Sequence, residues 1–139
     1  MKKIFESSIL SYFPLSSDDI SAGFPSPAEN HFGESLDLAA YLIKHPEATF
    51  FLRVCGDSMI GAGIFDGDLL IVDRSLSPIS GDIVISILDG EFTVKRLIIR
   101  NNGTIELRPE NPQFKTLRIY DESQLDIWGV VTGAVKSFR

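Results

Sequence analysis

Ser58 stands in Cys55-Gly56-Asp57-Ser58-Met59, directly after the strand-like run from Thr49 to Val54. Glycine at position 56 permits a sharp bend that would carry the serine hydroxyl to the edge of a sheet, where a nucleophile has to be. Taken alone, a Gly-Asp-Ser tripeptide is ordinarily a structural turn in which Asp and Ser bond back to nearby amides. The second candidate is Lys95, in Phe92-Thr93-Val94-Lys95-Arg96-Leu97. Strand alternation puts Thr93, Lys95 and Leu97 on one face and Phe92, Val94 and Arg96 on the other, so the two adjacent cations meet different surroundings. A lone lysine on a strand is ordinarily a solvated edge charge, and only a partner changes that.

The partner would be Ser58, with Lys95 as general base. A base must be neutral, yet a lysine pKa of about 10.4 leaves roughly one side chain in 2,500 deprotonated at pH 7. Burial against apolar walls lowers a lysine pKa by about 3 or more, equivalent to roughly 4 kcal/mol, and strengthens a hydrogen bond to a serine hydroxyl. Thr93, on the same face, is placed to orient the amine. A Ser-His-Asp arrangement does not compete: His31 lies in an N-terminal arm, and His45 stands beside Pro46, where a surface or capping role is expected. Cys55, at the end of an apolar strand, is expected to be a small buried hydrophobe without a catalytic role.

No cofactor or metal is expected. A single cysteine cannot form an internal disulfide, and Cys55, His31 and His45 lack metal-ligand spacing. Asp66, Asp68 and Asp73 surround an Asp-Gly-Asp turn, which ordinarily shapes a loop before a strand such as Leu69 to Val72.

The elements that must hold these residues are mostly strands. Thr49 to Val54, Leu69 to Val72, Asp82 to Leu88, Glu91 to Ile99, Thr104 to Leu107, Leu117 to Tyr120 and Ile127 to Val135 read as strands. Asp89-Gly90 and Asn102-Gly103 supply hairpin turns and imply an antiparallel meander. Ser35 is expected to cap a short helix whose Leu38, Tyr41 and Leu42 form an apolar stripe, ended by His45-Pro46. The fold expected is mainly β, a small, strongly curved antiparallel body at residues 35–139 with one short helix.

Residues 1–34 read as an extended arm, with Pro25 and Pro27 in loose company with Gly, Ser and Asp. Ile4, Phe5, Ile9, Leu10, Tyr12, Phe13 and Leu15 make its first half too apolar for a solvated tail, so it is expected to dock on the body or a partner. With 139 residues, 44% of them hydrophobic, the chain has room for one domain with a real core. Its net charge of −6 argues against direct nucleic-acid or anionic-lipid binding. Lys2 and Lys3 are followed by an apolar stretch that Glu6, Ser7 and Ser8 interrupt, and no run reaches the roughly 20 apolar residues of a membrane helix. The expectation is a soluble, cytoplasmic protein.

Gly56-Asp57-Ser58-Met59, followed thirty-seven positions later by Lys95 in Glu91-Phe92-Thr93-Val94-Lys95-Arg96, resembles the LexA/UmuD self-cleaving serine-lysine peptidases. Gly23-Phe24-Pro25-Ser26-Pro27 and Phe65-Asp66-Gly67-Asp68-Leu69-Leu70-Ile71-Val72-Asp73 sharpen the resemblance to the UmuD type, over nearly the whole chain. It implies Ser58 as nucleophile, Lys95 as base, Ala22-Gly23 as the scissile bond and the amides of Asp57 and Ser58 as the oxyanion hole. Some UmuD-type chains carry cysteine before the scissile glycine; here Ala22 takes that place, and it is small enough to enter a tight cleft. The resemblance further implies a homodimer, cleavage promoted by a RecA filament on single-stranded DNA, and a UmuC-type Y-family translesion polymerase as partner in the SOS response. A non-catalytic interaction module on the same fold and a truncated LexA-like repressor peptidase domain are the alternatives. A signal-peptidase-like enzyme acting on other proteins is disfavoured by the lack of an anchor.

Overall fold

A computed structural model of the chain describes residues 12–24, 33–121 and 124–139. It divides into two units, Met1–Lys44 and His45–Arg139. In the first, β1 (Tyr12–Leu15) pairs antiparallel with β2 (Glu34–Asp37), Tyr12 opposite Asp37 and Leu15 opposite Glu34. One turn of helix follows, α1 (Leu38–Leu42). Ser35 does not cap it, contrary to the sequence reading; it lies in β2 opposite Pro14. Asp37 caps instead, its carboxylate accepting the Ala40 N–H at 3.2 Å, a stronger acceptor nearer the first turn. The apolar stripe is not buried: Leu38 and Tyr41 are exposed, and α1 has no buried residue. Ile4, Phe5, Ile9, Leu10, Pro25, Pro27 and His31 lie outside the described residues.

The second unit begins with a single 3-10 turn at Pro46–Ala48. Seven strands then follow: β3 (Thr49–Arg53), β4 (Leu69–Asp73), β5 (Ile83–Leu88), β6 (Glu91–Ile99), β7 (Ile105–Arg108), β8 (Leu117–Ile119) and β9 (Ile127–Val135). They form one antiparallel sheet in the order β3-β4-β9-β5-β6-β7-β8, unclosed among the described residues. The expected mainly β, antiparallel architecture is thus the one observed. The hairpin β5-β6 turns through Asp89 and Gly90, both at positive φ, as a two-residue connection between right-twisted strands demands. The β6-β7 turn is closed by the Gly103 N–H donating to Arg100 O and the Arg100 N–H donating to Thr104 O, each at 2.9 Å.

β9, last in sequence, lies between β4 and β5 and joins the β3-β4 pair to the other four strands. Register shifts at Ile71/Val72 and at Ile85/Ser86 sharpen the local twist and bend the sheet. Alternation divides the core between two clusters. Val54, Met59, Ile64, Leu70, Val72 and Ile85 form one; Val84, Leu97, Ile105, Leu107, Ile119 and Val130 form the other. Neighbours along β5 serve opposite clusters, as a period of two requires.

Leu97 is 1% exposed within the second cluster, whereas Tyr41 is 62% exposed on α1. Leu97→Ala is therefore expected to lower the free energy of urea unfolding by about 2–5 kcal/mol. Tyr41→Ala is expected to change it by less than about 0.5 kcal/mol. Equal costs for both would show that the sheet core is not placed as described.

Candidate active site

Local bonds give the turn that carries Ser58 its shape. Beyond the end of β3, the Val54 N–H donates to Asp68 O and the Gly67 N–H to Val54 O, each at 2.8 Å. The chain then bends at Gly56, whose φ of +94° lies in the left-handed region where a side chain would be strained. Its N–H donates to Asp66 Oδ1 at 2.7 Å. Met59, one residue past the serine, is 1% exposed and pins the turn to the first core cluster. The Ile60–Ala62 3-10 turn comes next, and the Gly61 N–H donates to Glu110 O at 2.8 Å. A Cβ on Gly61 would stand 2.7 Å from that same oxygen, so only glycine lets the two backbones approach.

Lys95 projects from the middle of β6. Its Nζ donates to Ser58 Oγ at 3.3 Å, to Thr93 Oγ1 at 2.9 Å and to Val94 O at 3.0 Å. The structure thus brings together Ser58, Lys95 and Thr93, all half-buried. Val84, the cross-strand partner of Lys95, is fully buried. Desolvation by burial holds the Lys95 pKa below its ordinary value. Arg96 points the other way, its Nε donating to Glu110 Oε1 and its Nη1 to Gly81 O, each at 2.6 Å. The two neighbouring cations have the separate surroundings that alternation dictates.

Two residues missed by the sequence reading hold the backbone at Ser58. Asn111 Nδ2 donates to Asp57 O at 2.9 Å, and the Glu110 N–H donates to Ser58 O at 2.8 Å. The available signal was Pro109-Glu110-Asn111-Pro112, a loop stiffened by proline at both ends and following directly on a strand.

The other candidates fall as follows. Ala22 and Gly23 belong to the first unit and are exposed, with the Gly23 N–H donating to Ser21 Oγ at 3.2 Å. Cys55, expected to be buried, is instead exposed, because β3 ends at Arg53 and the chain is already leaving the sheet. His45 makes no side-chain cap. Its Nδ1 lies 2.6 Å from Asp73 Oδ2, a bond that raises the imidazole pKa. Asp73 is buried, which acts to raise its pKa, but bonds from Ser75 and His45 outweigh this and hold it low. Asp68 accepts from Lys136, chiefly through which its pKa is lowered, and from the Phe65 N–H. Among the described residues no group of three His, Cys, Asp or Glu side chains could hold a metal, and no helix is long and apolar enough to cross a membrane.

A serine hydroxyl in contact with a half-buried lysine, on a bent antiparallel sheet, has the form of a serine peptidase site. The chain belongs to the Peptidase S24-like family, which it matches over residues 14–132. It is 50% identical over 126 residues to the protein ImpA of Escherichia coli, covering 91% of this chain and 85% of that one. To the protein MucA of Salmonella typhimurium it is 47% identical over 133 residues, covering 93% and 90%. The LexA repressor of Oleidesulfovibrio alaskensis is 50% identical over 115 residues, covering 82% of this chain and 54% of the repressor. The LexA/UmuD resemblance drawn from residues 56–59 and Lys95 holds.

The lowered pKa has a consequence for stability. Folded Lys95 releases its proton at a lower pH than unfolded Lys95, so between the two pKa values the unfolded chain holds more protons and stability rises with pH. Lys95→Met removes that dependence. The unfolding free energy of the native chain is expected to gain on that of Lys95→Met as pH is raised through the interval just below the ordinary lysine pKa. Curves that run parallel there would mean that Lys95 is not desolvated.

Proposed function

We propose that this chain is a serine endopeptidase that cuts its own Ala22-Gly23 bond, with Ser58 as nucleophile and Lys95 as general base. The observation that carries this reading is the 3.3 Å contact between Lys95 Nζ and Ser58 Oγ in a chain of the Peptidase S24-like family. A neutral amine has two N–H groups and one lone pair. The Val94 carbonyl can only accept, so one N–H stays with it. With the second on Thr93 Oγ1, the lone pair faces the Ser58 hydroxyl. A contact of this length tightens when substrate is bound.

Ser58 Oγ attacks the Ala22 carbonyl carbon as Lys95 takes the hydroxyl proton. The amides of Asp57 and Ser58 receive the oxyanion. Collapse breaks the Ala22–Gly23 C–N bond, and the Lys95 ammonium returns its proton to the departing Gly23 amine. Water, deprotonated by Lys95, then hydrolyses the ester on Ser58. The products are residues 1–22 and 23–139. Ile20 and Phe24, which flank the bond, are 96% and 88% exposed, leaving apolar side chains free to fill a cleft.

The arm of residues 1–34 is then the substrate segment and the remainder the processing body. Likeness to ImpA and MucA supports assigning the processed form, as a homodimer in the cytoplasm, to a UmuC-type translesion polymerase. Activation by a RecA filament on single-stranded DNA belongs to the same reading, with no direct contact between this acidic chain and nucleic acid.

Incubation at about pH 10, where more of the lysine is neutral, tests the reaction without an activator. Intact mass is expected to reveal a species beginning at Gly23. Ser58→Ala is expected to remain whole, and Lys95→Ala to be slower by at least about 100-fold. Cleavage at the native rate in either variant would reject the dyad, and a native chain that stays whole would favour a non-catalytic interaction module.

A further inference from the structure

We propose that Asn111 is a positioning residue that aims the Ser58 amide as an oxyanion donor; this deepens, and rests on, the reading of Ser58 as nucleophile. Asn111 is 7% exposed, in the loop between β7 and β8. Its Oδ1 accepts the Gln113 N–H at 3.0 Å, the ordinary bond of an Asn to its own turn. That bond leaves Nδ2 unaccounted for, and Nδ2 reaches across to Asp57 O at 2.9 Å, fifty-four positions away in the chain. Each partner allows one sense only: a backbone N–H donates and a carbonyl accepts, so the amide cannot turn over.

The Asp57 carbonyl and the Ser58 N–H belong to one planar peptide, and the described chain has no cis bond. Holding the oxygen toward Asn111 therefore points the N–H the opposite way. The next peptide is held likewise, with Ser58 O accepting from the Glu110 N–H at 2.8 Å. Both carbonyls flanking Ser58 thus turn toward residues 110 and 111. Among the described residues no backbone carbonyl takes the Ser58 N–H. An N–H fixed in direction and left unengaged beside the nucleophile is what a developing oxyanion requires. Aspartate would not serve at 111, since a carboxylate cannot donate to Asp57 O.

The test follows self-cleavage of the full chain across alkaline pH in Asn111→Ala and in Asn111→Asp. The second variant is nearly isosteric and keeps the acceptor for Gln113 while losing the donor. Folding of both is checked by circular dichroism at the assay temperature. The rate plateau is expected to fall by about 10- to 100-fold in both, below the full loss of an oxyanion donor, with the midpoint of the pH profile unmoved in Asn111→Ala, which brings no charge near Lys95. Rates within about threefold of native would overturn the assignment and leave Asn111 a fold residue. A shifted midpoint in Asn111→Ala with the plateau recovered at higher pH would overturn it too, by showing that Asn111 acts through Lys95. A native chain that does not cleave at all overturns the nucleophile reading and this assignment with it, whereas Asn111 variants that cleave within about threefold of a cleaving native chain overturn this assignment alone.

Discussion

Burial of one ammonium group is the constraint around which the second unit is arranged. An amine taken out of water needs either acceptors for its three N–H groups or a reason to lose a proton, and the surroundings of Lys95 supply both. Thr93 and the Val94 carbonyl come from its own strand, so their placement costs nothing beyond forming β6. Ser58 comes from a turn thirty-seven residues away, and most of the remaining structure serves to keep that turn in place.

The turn is held from three directions. Asp66 and Asp68 bind it through the loop that leads into β4, and Met59 fixes it to the core. The loop after β7 grips its backbone. Glu110 joins these supports to the other half of the site, because its carboxylate meets Arg96, the residue next to Lys95. The spacing between serine and lysine is therefore governed by one short loop that touches both sides. Arg96 on the far face of β6 is as much a part of that arrangement as Lys95 on the near face.

What could be read from the chain alone was local. Alternation along residues 92–97 separated Lys95 from Arg96, Asp89-Gly90 fixed the β5-β6 register, and Gly56 marked the bend. Features that depend on distant partners were not readable. Glu34–Asp37 has no strand composition of its own and becomes β2 only by pairing with Tyr12–Leu15, which itself contains Pro14. Ser35 and Asp37 are both good capping residues, and the pairing of β2 decided between them. Cys55 looked buried because hydrophobicity continues to it, whereas the sheet ends two residues sooner. Nothing within Pro109-Glu110-Asn111-Pro112 says that the Asn111 amide meets Asp57, since that depends on how a sheet with β9 inserted between β4 and β5 bends.

The three acceptors around Lys95 also bear on waiting. With its proton on, the amine has as many N–H groups as partners within reach, so the idle arrangement is complete and calls for neither water nor ligand. For the reaction proposed above, this makes a single proton the safety catch. On that reading, a protein made together with the bond it cuts would accumulate intact, held back by one proton on one amine.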